Sequence, residues 1–181
     1  MAYPLRRPAA GSAGRARPCV RAAAMISIEG MLRDRSLVSL SRQHHDGLAL
    51  CVLTERSLSQ DPGPENAARL ARETAGRFAS ELKPHFEAEE GILLPAAREL
   101  EPALVEELMA EHRRLEAMAH ELAGEPSAAR LPDFTALLRA HIRKEENELF
   151  ERIQKELPRR TLDALGERLE AAAARVCPRI P

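Results

Sequence analysis

The 181-residue chain has no tryptophan, a single tyrosine, four phenylalanines and three cysteines. With aromatics at 3% of the sequence, its interior has to be aliphatic, drawn from the Leu, Ala, Val, Ile and Met of a 44% hydrophobic composition. Cys19, Cys51 and Cys177 are odd in number, far apart and in no CxxC pattern. They therefore make neither a disulfide framework nor a thiolate zinc site, and a reducing, cytoplasmic setting is the expectation. An excess of either charge is lacking as well: 27 basic and 28 acidic residues give a formal net charge of −1 and a pI of about 6.6, so the basic excess of a dedicated nucleic-acid binder is absent. No apolar run approaches the ~18 residues that span a bilayer. β-branched residues are sparse and no segment alternates with period two, which excludes a sheet. What remains is one domain, long enough to bury a core without staples, with tails.

The first 30 residues carry five arginines and no acid before Glu29, with too little patterned apolar content to pack. They are expected to be a disordered arm, or an extension upstream of a start at Met25 or Met31. From residue 31 to 157 the apolar period is helical. Leu37, Leu40, Leu48, Cys51 and Leu58 stripe a first helix over roughly 31–59, ended by Asp61-Pro-Gly-Pro64. A second helix is expected over about 65–100, kinked or split at Pro84 and Pro95. A third starts at Pro102 and stops near Gly124. A loop over 126–132 follows, with Asp133 expected to cap a fourth helix reaching about Leu157. Residues 158–181 add a shorter fifth helix, carrying Leu162, Leu165, Leu169 and Val176, and a tail. The fold class expected is all-α: an antiparallel four-helix bundle with an extra C-terminal helix.

Six histidines stand out in so aromatic-poor a chain. Two segments repeat one arrangement, His85-Phe-Glu-Ala-Glu89-Glu90-Gly-Ile-Leu93-Leu94 and His141-Ile-Arg-Lys-Glu145-Glu146-Asn-Glu-Leu149-Phe150. In each, a histidine is followed by Glu at +4 and +5 and by large apolar residues at +8 and +9. Offsets of 4 and 8 share a helix face, so each copy turns an imidazole and a carboxylate toward the core one turn apart. Glu90 and Glu146, at +5, are expected to rotate off that face into water. The first helix contributes Gln43-His44-His45 and the third Glu111-His112. Leu40 argues for His44 as the inward histidine, Leu48 and Val52 for His45, and the choice stays open at this level. Singly, each of these residues is an ordinary core or surface group. Together they put four imidazoles and two carboxylates at mid-height in a bundle interior, where unpartnered polar groups cost a few kcal/mol apiece and charges more. A bound cation removes that cost. Imidazole with carboxylate and no thiolate suits iron, manganese or zinc. Six side chains overfill one tetrahedral zinc but leave two octahedral ions with free positions, which favours a pair about 3.5 to 4 Å apart.

The segments HHDGL, HFEAEEGILLP, AEHRRL and HIRKEENELF, in this order over about residues 36–157, resemble the hemerythrin-like, cation-binding HHE domain. The resemblance implies a non-haem centre of two iron ions with an oxo or hydroxo bridge. His44, His85, His112 and His141 would be its terminal ligands, and Glu89 and Glu145 its bridging carboxylates. Oxygen-carrying hemerythrins place a fifth histidine one turn after the third-helix histidine; Glu116 holds that position here. His120 is a further candidate for an outer position. The implied role is a binding module that takes dioxygen or nitric oxide or senses iron or redox state, acting as a monomer or weak homo-oligomer through an unknown protein partner. The alternative is a ferroxidase or oxygenase on the same bundle, but those sites use Glu-x-x-His pairs with lone glutamates, the reverse of the pattern here. His45-Asp46 as the mark of an HD-type phosphohydrolase leaves the paired segments unexplained.

Overall fold

The computed structural model describes residues 33–124 and 128–176. The arm expected over residues 1–30, together with Cys19 and Cys177, lies outside the described residues. Among those described there is no strand, and no helix is long and apolar enough to cross a membrane. The helices are α1 (Val38–Gln60), α2 (64–97), α3 (Pro102–Gly124), α4 (131–156) and α5 (Arg159–Val176). Helix α1 packs on α2 and α4, and α3 on α2 and α4, which closes an antiparallel four-helix ring. Helix α5 lies along α1 and the C-terminal half of α2.

Two aliphatic cores fill the ring. One gathers Cys51, Leu70, Leu82, Leu115, Leu122, Phe134, Leu138 and Ile142, the other Leu37, Leu40, Leu93, Leu108, Leu149, Phe150 and Ile153, with Leu162 and Leu169 of α5. The leucine period read from the sequence lies in these clusters, as amphipathic stripes must if each helix is to bury its apolar face. Every chain segment passing from one core to the other crosses a polar level: His44 between Leu40 and Cys51, His112 between Leu108 and Leu115, and the two His-Glu pairs between Leu82 and Leu93 and between Leu138 and Leu149. Cys51 is buried and free, and burial pushes its thiol up to about 11, so it behaves as a small apolar residue.

Proline does not split α2. Its path runs through Pro64–Arg77, a π turn at Phe78–Leu82, Lys83–Ala88, a second π turn at Glu89–Leu93 and Leu94–Ala97. Each π turn precedes a proline by two residues, and its wider ring accommodates the pyrrolidine that a tight α turn would clash with. Helix α4 carries a third π turn at Glu145–Leu149 with no proline near it. The second and third π turns share a different feature: each begins at the +4 glutamate of the repeated segment. The expected cap at Asp133 is also corrected. A 3-10 turn at Ala128–Arg130 leads directly into α4, Pro132 occupies its first turn and Asp133 is already inside, exposed.

The start of the described chain is tied to α5. Arg159 holds the Asp34 carboxylate and the Ser36 hydroxyl, and Arg35 pairs with Asp163. The guanidinium keeps Asp34 at about 2, well below the usual carboxylate range. Gly166 sits where a Cβ would come within 2.8 Å of Ser36 Cα, so only glycine lets α5 approach this closely.

Candidate metal centre

Of the two first-helix histidines, His44 is 2% exposed and turned into the bundle, whereas His45 faces solvent. His44, His85, His112, His141, Glu89 and Glu145 are all buried, and the two carboxylates and His141 are fully so. All four Nε2 atoms point to the bundle axis. His44 Nε2 lies 3.1 Å from Glu145 Oε2 and 3.5 Å from Glu89 Oε1, and His85 Nε2 lies 3.2 Å from Glu89 Oε1. Across the axis, His112 Nε2 is 3.5 Å from Glu89 Oε2, His141 Nε2 is 3.3 Å from Glu145 Oε2, and the two imidazole nitrogens are 3.1 Å apart. The six residues fall into two donor groups, His44/His85/Glu89/Glu145 and Glu89/His112/His141/Glu145, each with its donor atoms within 4.8 Å of one another. Both groups use both carboxylates.

The outer nitrogens are accounted for one by one. His85 Nδ1–H donates to Gln43 Oε1 at 2.8 Å, His112 Nδ1–H to Glu90 Oε1 at 2.8 Å, His141 Nδ1–H to Glu111 Oε2 at 2.9 Å and His44 Nδ1–H to Glu146 Oε1 at 2.7 Å. The order is cyclic: a residue on α1 braces the histidine of α2, one on α2 that of α3, one on α3 that of α4, and one on α4 that of α1. Each bracing residue is the chain neighbour of a donor on its own helix. A donating Nδ1–H leaves the lone pair on Nε2, the tautomer in which a histidine ligates.

Glu146 thus corrects the expectation that it faces water, whereas Glu90, its side chain 37% exposed, meets solvent as expected while also holding His112. Glu146 is only 13% exposed and is held by Arg33, whose Nη2 reaches it at 2.7 Å and whose guanidinium lies 5.1 Å from the Phe150 ring centroid. The reason is the seam: a residue one step past the buried glutamate leaves its own helix's inward face but enters the groove shared with the next helix. Gln43 and Glu111 were in view in the sequence as neighbours of His44 and His112, with nothing to assign them a role. Glu116 is not among the donors; its carboxylate lies 2.8 Å from Lys83 Nζ on the surface. His120 is likewise outside, 77% exposed. Phe86 stacks on His112 with ring centroids 4.0 Å apart, and Phe150 on His44 at 5.3 Å, so the imidazole planes are fixed by packing too. A pocket of about 240 Å³ lined by Phe78, Lys83, Phe86, Glu90, His112 and Glu116, among others, opens beside His112.

The interior is electrostatically unfinished. His44 Nε2 and all four carboxylate oxygens of Glu89 and Glu145 are buried without a hydrogen-bond partner. Burial drives His85 down to about 4. Burial also opposes charge on His141, but Glu145 and Glu111 overcome it and raise that imidazole to about 10. Glu89 is held at about 2 against burial and the charge of Glu145, by His85, His112 and His44. A cation placed among the Nε2 and carboxylate atoms satisfies all of them, and the hard and borderline donors fit a divalent transition metal.

A helical bundle with a buried set of histidine and carboxylate donors is a cation-binding module. The family model of the hemerythrin HHE cation-binding domain matches residues 36–153, more than half of the chain, and the chain belongs to that family. Searches of curated proteins and of solved structures each returned no significant match.

Proposed function

We propose that the chain is a non-haem di-iron protein of the hemerythrin type that binds a small diatomic ligand, dioxygen or nitric oxide, or reports iron and redox state, in the cytoplasm. The observation that carries this reading is the set of five unpartnered polar atoms, His44 Nε2 and the oxygens of Glu89 and Glu145, arranged as two donor groups that share both carboxylates. His44 and His85 would hold one iron, His112 and His141 the other, and Glu89 and Glu145 would span both. With four protein donors to each ion, room would remain for an exogenous ligand. When bound, the pair supplies reversible one-electron chemistry and an open position for an exogenous ligand. The chain's part is to hold the imidazoles in the ligating tautomer through Gln43, Glu90, Glu111 and Glu146, and to keep bulk water out with the two aliphatic cores. The 240 Å³ pocket beside His112 gives a small molecule a way in from one side. Among the described residues no phenol neighbours the centre.

The test is to load the full chain with ferrous iron anaerobically and titrate it with nitric oxide and, separately, dioxygen, following the visible spectrum. Saturable changes at about one ligand per centre support the reading. A spectrum unmoved by either gas would sink it.

A further inference from the structure

The two halves of the centre are related by an approximate twofold that exchanges α1/α2 with α3/α4. His44 corresponds to His112, His85 to His141, Glu89 to Glu145 and Glu90 to Glu146. At the remaining bracing position the correspondence breaks: Gln43 precedes His44, and Glu111 precedes His112. Resting on the proposed two-ion centre, we infer that this break makes the two metal positions unequal, with the His112/His141 position binding the more tightly and Gln43 setting the difference.

The inference follows from counting charge around each pair. On the His44/His85 side the braces are Glu146, 2.7 Å from the Arg33 guanidinium, and the neutral amide of Gln43. On the His112/His141 side they are Glu111, 2.5 Å from Lys144 Nζ, and Glu90, whose carboxylate accepts from His112. Arg33 is shared between Glu146 and Glu151, and Lys144 between Glu111 and Glu107, so each side sets one cation against two glutamates and Glu90 remains as an additional anion on the His112/His141 side. A carboxylate accepting from Nδ1–H makes the imidazole a stronger donor at Nε2 than an amide does, and changes at such outer partners typically move metal affinity about 10–100-fold. The shared carboxylates cannot produce the difference, because each belongs to both donor groups. Nor is gross exposure its cause, since all four histidines are 3% exposed or less.

Exchange of the two residues gives the test. Apoprotein of the full chain is crystallised with one equivalent of Mn2+ and the anomalous signal compared at the two positions, in parallel with calorimetric Mn2+ titration. The wild type should show the stronger peak between His112 and His141 and two binding steps differing about tenfold or more. Gln43→Glu alone should narrow the gap, Glu111→Gln alone should weaken the tighter step, and the Gln43→Glu/Glu111→Gln double variant should move the stronger peak to His44/His85. Equal peaks in the wild type, a stronger peak at His44/His85, or a double variant with the wild-type pattern would overturn the inference while leaving the two-ion reading intact. A chain that takes up no Mn2+ at either position would overturn both.

Discussion

Replacing Glu145 with alanine should remove both metal ions, whereas replacing a single histidine should remove one. The difference comes from the geometry: Glu145 supplies donors to both groups, but His85 belongs only to the group with His44. Ligand binding to the folded state adds RT ln(1 + [L]/Kd) to stability, about 2.7 kcal/mol per site at a hundredfold excess over Kd. Two filled sites then contribute roughly 5 kcal/mol, and a chain of this size gains about 2–4 °C in Tm per kcal/mol. The metal-dependent shift should be on the order of 10–20 °C for the wild type, about half that for His85→Ala, and near zero for Glu145→Ala. Differential scanning fluorimetry with and without Mn2+ reads the shift, elemental analysis reads the ion count, and far-UV circular dichroism establishes that each variant folds. Glu148→Ala, a change on the same turn at an exposed side chain, should keep the full shift. A folded Glu145→Ala protein with the wild-type shift, or a Glu148→Ala protein without it, would refute the shared-carboxylate geometry.

Three further outcomes are expected. Glu90→Ala and Glu146→Ala should each weaken metal binding about 10–100-fold, read by competition with a chelator, because each frees an Nδ1–H from its carboxylate acceptor; unchanged affinity would return both residues to a solvent role. Asp34→Asn should lower Tm near neutral pH, with the gap closing on acidification. A carboxyl held at about 2 against its ordinary 3.8 contributes stability that is fully present above pH ~4 and is lost as pH falls toward 2. Gly166→Ala should cost about 1–3 kcal/mol by thermal or urea unfolding, since its Cβ would meet the Ser36 backbone at 2.8 Å.

The bundle was legible because its leucines recur at helical spacing with almost nothing competing, and the structure bears out the all-α class. The pairing of His85 with Glu89 and His141 with Glu145 was legible as a repeat. Less could be read where the answer depended on a neighbouring helix. The phase of an isolated helix turns Glu90 and Glu146 outward, but outward from α2 and α4 means into the seams with α3 and α1, where imidazoles wait for acceptors. Their recurrence at +5 in both copies was the available signal. The choice between His44 and His45 stayed open because Val52 looked like part of the apolar stripe; it is 55% exposed, and Leu40 was the better guide. The π turns at Glu89–Leu93 and Glu145–Leu149 carry no propensity signal, and only the structure reveals them.

The central claim is that two cations sit between Glu89 and Glu145. Elemental analysis of the full chain after anaerobic reconstitution with ferrous iron, combined with the visible spectrum before and after reduction, tests it most directly. Two irons per chain with a charge-transfer band that bleaches on reduction are predicted; a single tightly held zinc, or no retained metal, would contradict the account.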